Sequence, residues 1–212
     1  MKIQKYIPLK KAIAIIILVL LIDQISKIYI KTNFYYGEEV RVFEWFRIHF
    51  IENNGMAWGA EFGGKKGKLF LTIFRLFAIT GIGYWLYSSI KKNAHIILVI
   101  AVSLIFAGAL GNIIDSVFYG VIFNTPGGNQ LATLFAEDTY GTIFHGKVVD
   151  MFYFPMWHGD LPSWIPYFGG KPFTFFNAIF NVADSAISIG VLLLILFSKK
   201  AFPKEEDEKI TA

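Results

Sequence analysis

Four stretches of the chain stay apolar long enough to cross a bilayer, which takes ~20 residues at a rise of ~1.5 Å each. They run from about Ala12 to Ile30, Leu69 to Ile90, Ile96 to Phe118, and Phe173 or later to Phe197. Ile, Leu, Val and Phe surround each stretch on all sides, the pattern of a helix in lipid. Three of the stretches also carry a polar stripe. Asp23 and Lys27 stand at i and i+4 on the first; Gly108, Asn112 and Asp115 at i, i+4 and i+7 on the third. Asn177, Asn181, Asp184 and Ser188 continue that spacing on the fourth. Residues so spaced share a helix face, so the stripes are expected to meet inside a bundle. Between the spans, residues 40–52 partly alternate and are rich in β-formers, which predicts short strands. Asn53-Asn54-Gly55 then makes a turn. Residues 119–172 form a long loop broken by Pro126-Gly127-Gly128, Pro162, Pro166 and Gly169-Gly170. Its aromatics, among them Phe152, Trp157, Trp164 and Tyr167, suit a membrane interface. The expected fold is an all-α integral membrane protein of four transmembrane helices, with a small β-rich extracytoplasmic subdomain and a long extracytoplasmic loop. Residues 1–212 form one domain.

Composition agrees with this pattern. Of 212 residues, 55% are hydrophobic and 17% charged, against roughly a quarter charged in soluble domains. The absence of cysteine excludes disulfides, thiol catalysis and thiolate metal sites. The net charge of +4 lies mainly at the ends and in one short loop, so it reads as topology and not as a nucleic-acid footprint. With both termini cytoplasmic, the inside segments 1–11, 91–95 and 199–212 hold ten Lys/Arg in 30 residues. The outside loops 32–68 and 119–172 hold seven in 91, so the bias favours this orientation. Lysines 2, 5, 10 and 11 before an apolar run resemble a signal peptide. However, the run is too long and no small-residue cleavage site follows it before Asp23, so it is expected to be a retained helix.

Charge inside a span costs ~2.5–3.5 kcal/mol per group even on the mildest scale, so each such residue needs a reason. Counted along ideal helices, Lys27, Asp115 and Asp184 all fall in the outer half of the membrane. Asp150, in the apolar run Val148-Val149-Asp150-Met151, can join them from the outer side. Asp23 with Lys27 reads either as a buried ion pair fixing helix packing or as a substrate contact. Asn112 and Asn181 read as interhelical hydrogen-bond donors. Arg75 is expected to snorkel or to pair with an acidic loop residue. His145 and His158 lack metal-ligand spacing, so neither metal nor cofactor is expected. Carboxyl groups in apolar settings, as at Asp150 and Asp184, tend to hold their protons more tightly. Such acids suit a hydrolase built on a carboxylate pair, an ion-coupled transporter or a membrane scaffold. The transporter is disfavoured by four spans, no repeat symmetry and acids confined to the outer half.

Five motifs then occur in order. They are Asp23-Gln24-Ile25-Ser26-Lys27, Asn53-Asn54-Gly55-Met56-Ala57-Trp58, Gly108-Ala109-Leu110-Gly111-Asn112-Ile113-Ile114-Asp115, Val148-Val149-Asp150 and Phe180-Asn181-Val182-Ala183-Asp184-Ser185. Together they resemble the lipoprotein signal peptidase (signal peptidase II) family, from the first span to the fourth. The resemblance implies an aspartic endopeptidase of the bacterial inner membrane, with catalytic aspartates matching Asp150 and Asp184. It implies supporting residues at Asp23, Lys27, Asn53, Asn112, Asp115 and Asn181. It also implies a diacylglyceryl-modified prolipoprotein as substrate, cut just before the lipidated cysteine, and a globomycin-type inhibitor. Two departures stand out. The family has Arg after the aspartate matched by Asp115, where this chain has Ser116; Lys147 or Lys171 are candidate substitutes. Residues 120–146 lengthen a segment that is short in the family, and read as a lid or partner-contact element.

Overall fold

The structure is a computed structural model that describes residues 7–55, 64–125 and 130–203. Met56-Ala57-Trp58 of the second motif, Pro126-Gly127-Gly128, Lys2, Lys5 and the C-terminal acidic run lie outside the described residues. Three long apolar helices organise the chain. Helix α1 (Leu9–Asn33) starts behind Pro8, whose extended backbone suits a helix entry, and stops where Phe34 turns extended. Helix α2 (Gly64–Lys91) follows the first loop. Helix α3 (Ile96–Ile114) is capped by His95, whose Nδ1 accepts the Ile97 N–H at 3.2 Å. It runs on through a π-helical turn, Asp115–Tyr119, into the single turn α4 (Gly120–Ile122). By length and composition α1, α2 and the continuous run Ile96–Ile122 are fit to cross a membrane. Their outer faces are apolar and exposed, with Phe70 and Phe77 about three-quarters uncovered, as lipid-facing residues should be.

The fourth apolar stretch differs from its expected bounds. Its helix α5 spans only Val182–Leu196, followed by the short α6 (Ser198–Ala201). Residues ahead of it are strands, β5 (Pro172–Phe175) and β6 (Ile179–Phe180). Asn181 stops the helix from starting earlier. Its Oδ1 accepts the Asp184 N–H at 2.9 Å, while Asp184 Oδ2 accepts the Asn181 N–H at 3.3 Å, a reciprocal cap. Asn177 is therefore not on the helical stripe; it accepts a hydrogen bond from the Tyr153 hydroxyl at 3.1 Å, in exposed surroundings.

Helix α3 is the central post, packed against α1, α2 and α5. Two glycines allow the closest approaches. A Cβ on Gly108 would strike the Ala183 carbonyl, and one on Gly111 would stand 2.6 Å from Asp23 Oδ2. Small residues at such crossings let helix backbones approach within reach of polar contacts.

Segments between the long helices build one antiparallel sheet in the order β1 (Glu39–Phe43), β2 (Phe46–Asn53), β3 (Val148–Tyr153) and β6. Strands β1 and β2 match the alternation read in 40–52. Strand β3 is inserted between β2 and β6, with Asn53 opposite Val148 and Ile51 opposite Asp150. The apolar Val-Val-Asp-Met run is thus a buried strand. Phe50, Val149 and Met151 pack beneath it with Ile30 and Tyr119. A separate hairpin pairs β4 (Trp157–Asp160) with β5, and nearby Trp164, Tyr167 and Phe168 are exposed.

The described part of residues 120–146 is stitched to the end of α3. The π turn leaves carbonyls unused by the helix ladder, and loop amides take them: Gly146 N–H donates to Ser116 O (2.9 Å) and Phe144 N–H to Val117 O (3.0 Å). Gly141 and Tyr140 N–H groups bond the Gly120 and Phe123 carbonyls at 2.9 and 3.0 Å. This segment forms a wall against the helix end. It also covers a buried charge. Lys31, one turn beyond Lys27, pairs with Glu52 and lies 5.1 Å from the ring centroids of both Phe123 and Tyr140. Both partners are essentially buried, whereas Lys147, 3.5 Å from Glu52, is 40% exposed. Glu52→Gln is therefore expected to cost about 2 kcal/mol, because a neutral acceptor replaces the anion facing a buried ammonium. Lys147→Met should cost under about 1 kcal/mol. Thermal unfolding of the detergent-solubilised protein checks both.

Candidate active site

Two polar clusters fill the junction of α1, α3, β3 and α5. In the deeper one, Lys27 Nζ lies 2.9 Å from Asp23 Oδ2 and 2.7 Å from Asp115 Oδ2, all three side chains fully buried. Gln24 Nε2 closes the cluster, donating to Asp115 Oδ1 at 2.9 Å and Asp23 Oδ2 at 3.1 Å. Asp23 Oδ1 also accepts the Ala183 N–H at 2.9 Å, which fixes the start of α5 onto α1. Two carboxylates and one ammonium leave this cluster with one excess negative charge.

The second cluster contains the remaining expected residues. Asn112 is the link: its Oδ1 accepts from Lys27 Nζ at 2.9 Å, and its Nδ2 donates to Asp184 Oδ1 at 2.8 Å. Asn181 Nδ2 donates to Asp150 Oδ1 at 2.7 Å, to Asn112 Oδ1 at 3.2 Å and to Val149 O at 3.2 Å. Asn53 Nδ2 donates to Asp150 Oδ2. The structure thus brings Asp23, Lys27, Asn53, Asn112, Asp115, Asp150, Asn181 and Asp184 into one network. The two aspartates are bridged by Asn181, which bonds each of them.

Their surroundings differ. Asp150 is 3% exposed, Asp184 half-buried. Burial, and then the charge of Asp184, push the Asp150 carboxyl up to about 7; the amides of Asn53 and Asn181 pull the other way. A carboxyl able to keep its proton near neutral pH, beside a second carboxylate, is an arrangement suited to general acid–base chemistry on a water.

A family model described as signal peptidase (SPase) II matches residues 15–200. The chain belongs to the signal peptidase II family. It is therefore a membrane-associated protease of the type that serves lipoprotein processing. A lipoprotein signal peptidase of Porphyromonas gingivalis is 49% identical over 189 residues, 88% of this chain and 82% of that protein. That of Amoebophilus asiaticus is 35% identical over 95% of this chain and 83% of its own length. Two solved structures described as bacterial membrane enzymes, studied by the in meso method, align at 28% and 27% identity. They cover 96% and 92% of this chain and 97% and 96% of their own, with TM-scores of 0.59 and 0.60.

Within this network, one participant escaped the sequence reading. Gln24 lies inside the first motif but carries no charge to draw notice. Arg75 Nη2 donates to the Gly55 carbonyl, a contact with the turn ahead of α2. Charge in the middle of an apolar run was its signal. The candidate substitutes for the missing Arg are otherwise engaged, Lys147 with Glu52 and Lys171 over the Phe168 ring at 5.4 Å. Ser116 is buried and its Oγ bonds back to Asn112 O at 2.9 Å.

Proposed function

We propose that the protein is an aspartic endopeptidase that removes the signal peptide of diacylglyceryl-modified prolipoproteins just before the lipidated cysteine, using Asp150 and Asp184 as a catalytic pair. The observation that carries this reading is the Asn181 bridge, which holds a buried Asp150 beside a half-open Asp184. Two neighbouring carboxyl groups in a low-dielectric cleft do not both ionise readily, so the pair shares one proton. Asp184 is the better-supported anion. It stands in the first turn of α5, accepts the Asn181 N–H and takes a second hydrogen bond from Asn112. It removes the proton from a water as that water attacks the scissile carbonyl. Asp150 donates its proton toward the carbonyl oxygen, giving a neutral tetrahedral intermediate. Asp184, now protonated, passes its proton to the amine of the departing cysteine residue as the C–N bond breaks, while Asp150 takes back a proton from a hydroxyl of the intermediate, leaving the new carboxylic acid and the pair as it began.

Asn53, Asn112, Asn181, Asp23, Lys27 and Asp115 are supporting residues in this scheme, orienting the pair and the α5 start. The setting is a single domain with four spans, α5 being the fourth, in the bacterial inner membrane. Both termini are cytoplasmic and the pair opens toward the outer face. A substrate whose acyl chains stay in the outer leaflet then presents its cleavage site at that depth, and globomycin-type inhibitors would occupy the same cleft.

The test is incubation of the purified protein with a synthetic diacylglyceryl-cysteine lipobox peptide and its unlipidated twin. Cleavage confined to the lipidated peptide is expected; equal cleavage of both would remove the substrate assignment. The rate should also fall as pH rises beyond about 7, where Asp150 loses its proton.

A further inference from the structure

Helix α2 sends one side chain toward the aspartate pair. Arg75 Nη2 donates to the Gly55 carbonyl. The Gly55 N–H donates to Asn53 Oδ1 at 2.5 Å, and Asn53 Nδ2 donates to Asp150 Oδ2. A continuous chain of hydrogen bonds therefore joins the guanidinium to the carboxyl of Asp150. The turn is closed tightly on it: Gly55 has a φ of +91°, and a Cβ there would stand 2.5 Å from Arg75 Nη1. Lys68 Nζ, also on α2, bonds Asn54 Oδ1 at 3.0 Å and ties the same turn at a second point. Arg75 also interacts electrostatically with Asp184. One cation thus reaches both members of the pair, one through bonds and one through space.

We propose that Arg75 is a positioning residue for the aspartate pair: through the Gly55 turn it holds the Asn53 amide on Asp150, and its charge faces Asp184. The proposal rests on the dyad reading above. A planar guanidinium suits the task, since one N–H fixes the carbonyl while the charge stays directed at the site. Among the described residues, the other charged groups around the pair and its turn are Asp23 and Lys27 on α1, Asp115 at the end of α3 and Lys68 on α2. Lys27 reaches Asp184 through Asn112. Arg75 adds a cation to this set from α2.

Steady-state cleavage of the lipidated peptide by the full-length wild type, Arg75→Gln and Arg75→Lys tests this across the range of about pH 5 to 9. In Arg75→Gln, kcat should fall about 10- to 100-fold with KM little changed, because the reacting groups are misplaced. Its bell-shaped profile should move up by about one pH unit. Loss of the cation, and of a firm Asn53 donor to the Asp150 carboxylate, both favour protonated carboxyl groups. Arg75→Lys keeps the charge without the fork, so its profile should stay in place while kcat recovers only in part. A Gln profile that does not move, or a Lys profile displaced as far as the Gln one, overturns the proposal. If the Gln variant fails to fold, the Lys profile decides alone. Failure of the dyad reading is separately visible, because an active Asp150→Asn control would remove it whatever Arg75 does.

Discussion

Asp150→Asn and Asp184→Asn are each expected to lower kcat by about four orders of magnitude or more while the protein stays folded. Asparagine keeps the shape of the side chain but neither shares nor delivers the proton. Groups that act as a unit are not additive, so the double variant should be no worse than either single one. Folding consequences should be small. Asp184→Asn can keep its oxygen on the Asn181 N–H and leave the α5 cap in place, but its amide then faces the Asn112 Nδ2 donor and that hydrogen bond is lost. In Asp150→Asn, an amide faces two amide donors, Asn53 and Asn181, so one hydrogen bond is lost at about 1 kcal/mol. Processing of the lipidated peptide, followed together with thermal unfolding, separates the two effects. Near-wild-type turnover by either variant would sink the two-carboxylate mechanism.

Lys27→Met should give the largest loss of stability, about 3–5 kcal/mol. The ammonium contacts Asp23, Asp115 and Asn112 with no solvent to replace it. Its removal leaves two buried carboxylates facing each other. The double variant Lys27→Met/Asp115→Asn should recover much of the loss, since it removes the uncompensated charge along with its partner. Thermal unfolding in micelles is the measurement. A single variant as stable as the wild type would show that the cluster does not hold α1, α3 and α5 together.

The polar stripes of the first and third spans were legible because their spacing is intrahelical, and Asp23, Lys27, Asn112 and Asp115 do meet at the junction. The boundary of the fourth was misread for a physical reason. Phe173, Phe175 and Phe176 are as apolar as a helix interior, so hydropathy runs on through residues that pair as a strand edge. The capping signal at Asn181 and Asp184 was present and marks the true start. Lys31 with Glu52 was missed because its partner comes from a strand in another loop, a long-range pairing that no local period reveals. The same holds for Arg75 and Gly55. The wall formed by residues 120–146 depends on carbonyls freed by a π turn, and nothing in the run Asp115–Tyr119 announces that change of pitch.

The shortness of α5 carries a consequence for the surrounding bilayer. Fifteen residues reach only about 22 Å, against a hydrocarbon thickness of ~30 Å. If α5 is the fourth span, the bilayer must thin beside one of its ends, since deforming lipid is cheaper than burying an uncovered helix end. With the thinning at the Asn181 end, headgroups and the water that hydrates them would descend toward the carboxyl groups, and the water of the proposed hydrolysis would arrive from the flank of the helices.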